Sequence, residues 1–414
     1  MTTRKLRAGA LALVTAALLA GAASLGGADP APASPATAPH LAPVWTSHFG
    51  SGKYQASPVV AGNFVYVGDE NGYLTKFPLR TGTASTATPP TFVATWSTNE
   101  CFNSIFSKPA IGNSTVYVAT IAGYVCAFED TMSPDPDLKW RQLMPSGGWA
   151  NGPVLVGDTI YVSGHNGDIL ALNAETGTPR WRTNVGGTNA QNPLLGSPIV
   201  LGGKVYVGTS DGRVMAVTPP TGGAPATVTE LEKFTGGRIS DTLATDGVHL
   251  YAAVNYVTSP SVGRVHAVSL TTSGVVRWDR DTGLDPTYSG RMQAPAVADG
   301  IVYVPTKVNV VYYDSETGAR TALADAGDNQ PTTPTVVNGV AYVGGLQASG
   351  GASGALQAFD AKTGVTLYYS HTPTVAYTSP AVAPNGMVLL GGGNSGQGAG
   401  VVWAYAPHSP THNR

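Results

Sequence analysis

Two cysteines, Cys101 and Cys126, and eight histidines are the residues whose spacing decides what chemistry is open to this chain. An even cysteine pair in an exported chain points to a disulfide rather than a metal or redox site, with two buried free thiols as the alternative. Closing the 25-residue loop between them would stabilise the fold by about 3 kcal/mol, by constraining the unfolded chain. The histidines are scattered without zinc-ligand spacing, and His165, beside Asn166-Gly167, is expected in an exposed turn. Ser, His and Asp are all present, yet no Gly-x-Ser-x-Gly precedes a helix and no local nucleophile–base pattern appears. Asp69 with Glu70, and Asp325 with Asp328, offer carboxylate pairs for calcium or acid–base work, but turn chemistry accounts for both with fewer assumptions. Gly391-Gly392-Gly393 and Gly350-Gly351 lack the helix and the Lys-Ser/Thr of a phosphate loop and are expected at hairpin tips.

A second set of residues recurs. Polar and aromatic side chains precede eight similarly placed segments: Tyr54 and Gln55, Asn103, Trp149 and Asn151, Gln191 and Asn192, Arg238 and Asp241, Arg291 and Gln293, Asn329 and Gln330, and Tyr377. If they converge on one funnel, their amides, arginines and rings suit a neutral or weakly anionic ligand with hydroxyls or a flat face, such as a sugar, a quinone or an extended peptide. Arg291 is the foremost of them. The alternative is that they solvate loop ends and satisfy buried backbone groups.

The elements that would position these residues follow from self-comparison. Ser57-Pro58-Val59-Val60 leads to Val65-Tyr66-Val67-Gly68, and the same proline-to-tyrosine step returns at Pro109 and Tyr117, Pro153 and Tyr161, Pro198 and Tyr206, Pro295 and Tyr303, and Pro334 and Tyr342. Thr242 to Tyr251 and Pro380 to Leu389 are degenerate copies, each one residue longer, which makes eight. A glycine turn follows the Val-Tyr-Val run, as at Asn71-Gly72 or Asp211-Gly212, then a second alternating run such as Ile169-Leu170-Ala171-Leu172. A Thr-Gly turn comes next (Thr176-Gly177, Thr317-Gly318, Thr363-Gly364), often with an aromatic four residues on, as at Trp181 and Tyr368. Four short strands per copy make one propeller blade, and eight blades around an axis give every sheet two neighbours. The predicted fold is therefore all-β: an eight-bladed β-propeller of four-stranded antiparallel blades. The eighth copy stops after Val401-Val402-Trp403-Ala404-Tyr405, so Pro43-Val44-Trp45-Thr46 is expected to supply its outer strand and close the ring, burying Trp45.

Composition agrees. With 52 Gly and 31 Pro the chain is not a helical bundle, and its Val, Tyr, Leu and Ile content, within 42% hydrophobic residues, is too high for disorder. Residues 1–28 read as a secretory signal peptide: Arg4, Lys5 and Arg7, an apolar stretch from Ala8 to Ala23, then small residues. Removing them leaves 20 basic against 25 acidic side chains, a mildly acidic surface that gives no footprint for nucleic acid. Residues 29–42 form a Pro/Ala-rich linker, 43–407 the propeller and 408–414 a tail. No stretch is long enough for a membrane span, and no cysteine near the cleavage region offers a lipidation site, so the expectation is a secreted, monomeric protein.

The stretch from Pro153-Val154-Leu155-Val156-Gly157-Asp158-Thr159-Ile160-Tyr161-Val162 to Asn166-Gly167-Asp168-Ile169-Leu170-Ala171-Leu172-Asn173-Ala174-Glu175-Thr176-Gly177-Thr178-Pro179-Arg180-Trp181 resembles the pyrroloquinoline-quinone-type (PQQ-like) propeller repeat. That family includes quinoprotein alcohol dehydrogenases and, without cofactor, the lipoprotein of the outer-membrane β-barrel assembly machinery. The resemblance extends from about Trp45 to Tyr405, and its Ala-x-Asp/Asn-x-x-Thr-Gly-x-x-x-Trp signature implies a tryptophan that docks neighbouring blades. The dehydrogenases carry a vicinal Cys-Cys disulfide, a Glu/Asn/Asp calcium set and an Asp base, and this chain has no adjacent cysteines. The resemblance is therefore nearer the non-enzymatic assembly-type propellers, and no cofactor is predicted. The expected function is an exported non-catalytic scaffold that recognises a protein, peptide or glycan through its funnel. Two alternatives remain open: a dehydrogenase using PQQ with calcium, and a propeller enzyme, lyase or hydrolase, acting on extracellular polysaccharide.

Overall fold

Val-Tyr-Val runs become strands because β-branched and aromatic side chains pack well on a pleated, half-buried surface. In a computed structural model, which describes residues 41–49, 56–79, 94–145, 147–186, 196–239, 241–256, 262–271, 274–283, 293–327, 329–347, 353–393 and 400–407, each run is the second strand of an antiparallel sheet. Blade 3 shows the order: Val154–Val156 innermost, then Thr159–Ser163, Asp168–Asn173 and, outermost, Pro179–Asn184. Register is fixed by pairing the large tyrosine with a small residue on the third strand: Tyr117 with Ala127, Tyr161 with Ala171, Tyr206 with Ala216, Tyr251 with Ala267, Tyr342 with Ala358.

Eight such sheets form the ring. Blades 1 to 7 occupy residues 59–98, 110–143, 154–184, 199–233, 237–281, 296–325 and 329–372. Blades 5 and 7 each carry an additional inner strand, Gly237–Ile239 and Asn329–Pro331, beside the regular inner strands Ala244–Thr245 and Thr335–Val337. Innermost strands touch around the axis between blades 2, 3 and 4 and between blades 5, 6, 7 and 8, and that of blade 8, Ala381–Val382, meets that of blade 1, Val59–Ala61.

Ring closure occurs as the sequence predicts, over a longer strand. Leu41–Phe49 pairs antiparallel with Gly400–Pro407, from Leu41 opposite Pro407 to Phe49 opposite Gly400, as the outer strand of blade 8. Val44, 2% exposed, is the buried anchor, packing with Val65 and Val402; the side chain of Trp45 lies outside the described residues.

Hydrophobic clusters straddle neighbouring blades: one joins Tyr117 and Trp140 of blade 2 to Ile160 and Leu172 of blade 3, another joins Tyr312 of blade 6 to Phe359 of blade 7. At the blade 2–3 and blade 5–6 interfaces the seal is the turn that the repeat signature encodes. The Asn173 side-chain oxygen accepts the N–H groups of Glu175 and Thr176, both at 2.9 Å, which folds the Thr-Gly turn. Ala174 then offers its carbonyl to the preceding blade, accepting from Trp140 Nε1 at 3.0 Å and Tyr117 Oη at 3.1 Å, while Gly177 lies on the Trp140 ring. Trp278 repeats the contact with Ser315 O at 2.9 Å and Gly318. The aromatic of one blade thus grips the turn of the next, so the signature is a docking device.

Cys101 and Cys126 form a disulfide that joins the segment after the outer strand of blade 1 to the third strand of blade 2. Two expectations need correction. Gly391-Gly392-Gly393 is not a hairpin tip but part of the second strand of blade 8, where a Cβ on Gly392 would meet Val375 O at 2.0 Å and the Trp403 ring. His165 is half-buried rather than exposed, because its ring stacks on Trp149 with centroids 4.8 Å apart. Gly350-Gly351, Asp328, the signal segment, linker residues 29–40 and the tail lie outside the described residues, while Leu41 and Ala42, expected in the linker, open the closing strand. Among the described residues no helix is long and apolar enough to cross a membrane.

Candidate functional site: the central channel

The axis of the ring is a channel of 810 Å³ to which every blade contributes. The residue before each inner-strand proline, or its equivalent, lines it: Ser57, Lys108, Gly152, Ser197, Thr242, Ala294, Thr333 and Ser379. A residue that precedes proline is held extended, which puts the same atom set at the same height in blade after blade.

Most hydroxyls here stitch one blade to the next. Ser57 Oγ accepts from Ser379 N at 3.1 Å, Thr242 Oγ1 from Ser197 N at 2.9 Å, and Thr333 Oγ1 donates to Ala294 O at 2.9 Å. Gly152 and Gly196 allow the close approach this needs, since a Cβ at Gly196 would fall 2.2 Å from Thr242 N. For these positions the structural reading of the polar ring holds.

Two charged side chains stand among the described lining residues. Asp241 accepts backbone N–H groups from Thr242 at 2.7 Å and Ala294 at 3.2 Å, so it helps hold blade 5 to blade 6. Lys108 is different. It reaches solvent in the channel, engages in no hydrogen bond or ion pair among the described residues, and the surrounding walls desolvate its ammonium enough to hold its pKa below the usual lysine value. Beside it the wall turns aromatic. Phe106 meets Trp149 edge-on at 6.1 Å, and Trp149 stacks on His165. Asn151, next to this wall, has its amide nitrogen buried with no acceptor. Blades 2 and 3 therefore present a cation, an unsatisfied donor and a half-buried aromatic face to one cavity, a combination that suits a ligand rich in carboxylate or carbonyl oxygens.

Of the residues singled out in the sequence, Trp149, Asn151, Asp241, Gln293 and Tyr377 line the channel. Others do not. Asn103 sits exposed at φ 77° in a turn against Gly72, and Arg238 lies in the additional inner strand of blade 5, opposite Asn255. Asn329 and Gln330 belong to the corresponding strand of blade 7, with Asn329 opening on a separate cavity. Tyr54, Gln55, Gln191, Asn192 and Arg291 lie outside the described residues. Sequence reasoning missed Lys108 and Phe106, although the position before each proline was the signal that finds Lys108.

A profile of the PQQ-like family described as "Outer membrane protein assembly factor BamB" matches residues 133–225 and 261–404. The chain belongs to this family. The BamB protein of Burkholderia pseudomallei (strain K96243) is 29% identical over 177 residues, covering 34% of this chain and 45% of that protein. That of Legionella pneumophila (strain Paris) is 28% identical over 130 residues, covering 31% and 32%. The chain thus matches less than half the length of these curated relatives. Among solved structures, BamB from Moraxella catarrhalis superposes with a TM-score of 0.62 at 17% identity, over 88% of this chain and 99% of that one. Quinohemoprotein alcohol dehydrogenase from Comamonas testosteroni gives 0.63 at 15% identity, over 89% and 78%. At these identities the structures share the fold, which serves scaffolds and oxidoreductases alike.

The described residues do not fit the cofactor of the second group. No cluster of three or more His, Cys, Asp or Glu side chains that could hold a metal ion occurs among them, and Asp241 already spends its oxygens on backbone amides. Both cysteines are committed to each other across 25 residues, so no vicinal disulfide can floor a quinone.

Proposed function

We infer that this protein is an exported, non-catalytic scaffold that captures a partner through the central channel, the partner being a protein that presents an extended, carboxylate-bearing segment. The observation that carries this reading is the blade 2–3 sector, where Lys108, Asn151 and the Phe106–Trp149 pair face one cavity of 810 Å³. Lys108 reaches solvent in the channel with no counter-ion among the described residues, which leaves it free to pair with a partner's carboxylate, and the adjoining rings supply the apolar contact that anchors most interfaces. Membership of the BamB family supports a protein partner, and the Cys101–Cys126 bond suits an oxidising, extracytoplasmic setting.

The test is affinity capture from the cell envelope with matched variants. Lys108→Glu is expected to abolish recovery of the partner by reversing the charge, and Trp149→Ala to reduce it at least about tenfold by removing a central ring, worth roughly 2 kcal/mol. Undiminished recovery by both would move the interface off the channel.

A further inference from the structure

One register position separates blade 7 from its neighbours. The third-strand residue immediately before the residue paired with the Val-Tyr-Val tyrosine, an alanine in blades 2 to 5 and 7 and Tyr312 in blade 6, faces the preceding blade. It is Cys126 in blade 2, Leu170 in blade 3, Met215 in blade 4 and Val311 in blade 6, each packed into an inter-blade cluster. In blade 5 it is His266, stacked on Phe234 of blade 4 at 4.0 Å. In blade 7 it is Gln357, and there the interface holds a cavity of 430 Å³ between blades 6 and 7, within the size range of small-molecule sites.

The polar inventory of that cavity is specific. Gln357, 3% exposed, and Asn329, 6% exposed, both give their amide nitrogens to the single carbonyl of Ala326, at 3.3 and 3.2 Å. Gln357 Oε1 is left buried with no donor. Thr366 and His371 add a hydroxyl and an imidazole, and Tyr369, 43% exposed, stands directly across the strand pair from Gln357. Asp325 contributes a carboxylate, one oxygen of which already accepts Gly327 N at 2.8 Å. No lysine or arginine lines the site among the described residues.

We propose that this inter-blade cavity is a carbohydrate site, in which a sugar hydroxyl donates to Gln357 Oε1 and the sugar ring lies against Tyr369. An apolar occupant would leave the Gln357 oxygen unsatisfied. An anion finds no permanent cation, and a cation finds one exposed carboxylate that is already half engaged. Hydroxyls both donate and accept, which is what a wall of amides, hydroxyls and one carboxylate requires. The site is independent of the channel and of its partner.

The test is saturation-transfer NMR and calorimetry on the full chain with cellobiose, maltose and chitobiose, and with acetyl-arginine amide as cationic comparator. At least one disaccharide is expected to bind saturably. Gln357→Leu gives blade 7 the side chain that Leu170 gives blade 3, so the melting temperature should hold or rise while sugar affinity falls roughly tenfold or more. Tyr369→Ala, at an exposed ring, should weaken binding with the fold intact. The assignment is overturned if no disaccharide binds, if only the arginine derivative binds, or if both variants bind as the parent does.

Discussion

Replacing Gly177 by alanine isolates what holds one blade to the next. Gly177 and Gly157 belong to the same blade and have nearly the same left-handed backbone, φ +70° and +60°. An L side chain costs about 1–2 kcal/mol in that conformation wherever it is placed. At Gly157 an added Cβ meets nothing within 4 Å, so Gly157→Ala should cost only that amount. At Gly177 the same atom would lie 2.5 Å from Trp140 Cδ2 and 2.7 Å from Cε3, so the ring must leave its seat. Displacing it breaks the Trp140–Ala174 hydrogen bond, worth about 1 kcal/mol net, and uncovers part of a side chain now 9% exposed, about 1–2 kcal/mol more. Gly177→Ala should therefore be less stable than Gly157→Ala by roughly 2–3 kcal/mol. Urea unfolding followed by tryptophan fluorescence reads the difference directly, and Gly318→Ala at Trp278 is the independent repeat. Equal midpoints for Gly157→Ala and Gly177→Ala would refute the docking role given to the turn.

Other consequences are as direct. Burial holds the pKa of His266 at about 4, against its ordinary 6.5, so the unfolded chain takes up a proton that the folded one refuses. Its contribution is intact above pH 6.5 and is lost as the pH falls toward 4, by about 3 kcal/mol at most. Asp69, raised to about 6 by burial, slopes the other way, stabilising below its unfolded value of 3.8 and losing that contribution as the pH rises through 6. The decisive reading is therefore the stability advantage of the parent over His266→Phe across pH 4–7, which should grow as the pH rises; a constant difference would contradict it. Deleting residues 41–49 removes the outer strand of blade 8 and bares the Gly400–Pro407 edge, so thermal stability should drop and light scattering rise; an unchanged melt would deny the closure. The double variant Cys101→Ser/Cys126→Ser should lose about 3 kcal/mol in denaturant titration, and the reduced parent should match it.

The fold was legible because a repeat states its own geometry several times over. Six proline-to-tyrosine steps and two degenerate copies located the second strands, and a missing fourth strand at Tyr405 pointed to the segment around Val44. The site was half legible. Trp149, Asn151, Asp241, Gln293 and Tyr377 were found because they precede an inner strand closely enough for the chain to deliver them to the axis. Asn103 was too far upstream: its positive φ commits it to a turn against Gly72. Arg238 and Asn329 were diverted by inner strands that, among the described residues, blades 5 and 7 add, which nothing in the repeat announces. Gln357 looked like one more strand residue, since a cavity is a property of two blades and shows in neither sequence alone.

The proposed partner is captured in the channel. A photo-reactive phenylalanine derivative in place of Gln293, exposed on the channel wall, tests this when compared with the same probe in place of Val365, 59% exposed on the protein surface outside the channel lining. Irradiation of intact cells should give a discrete adduct from position 293 that disappears with Lys108→Glu, and none from position 365. Adducts from position 365 alone, or from 293 regardless of the charge at 108, would contradict the central claim.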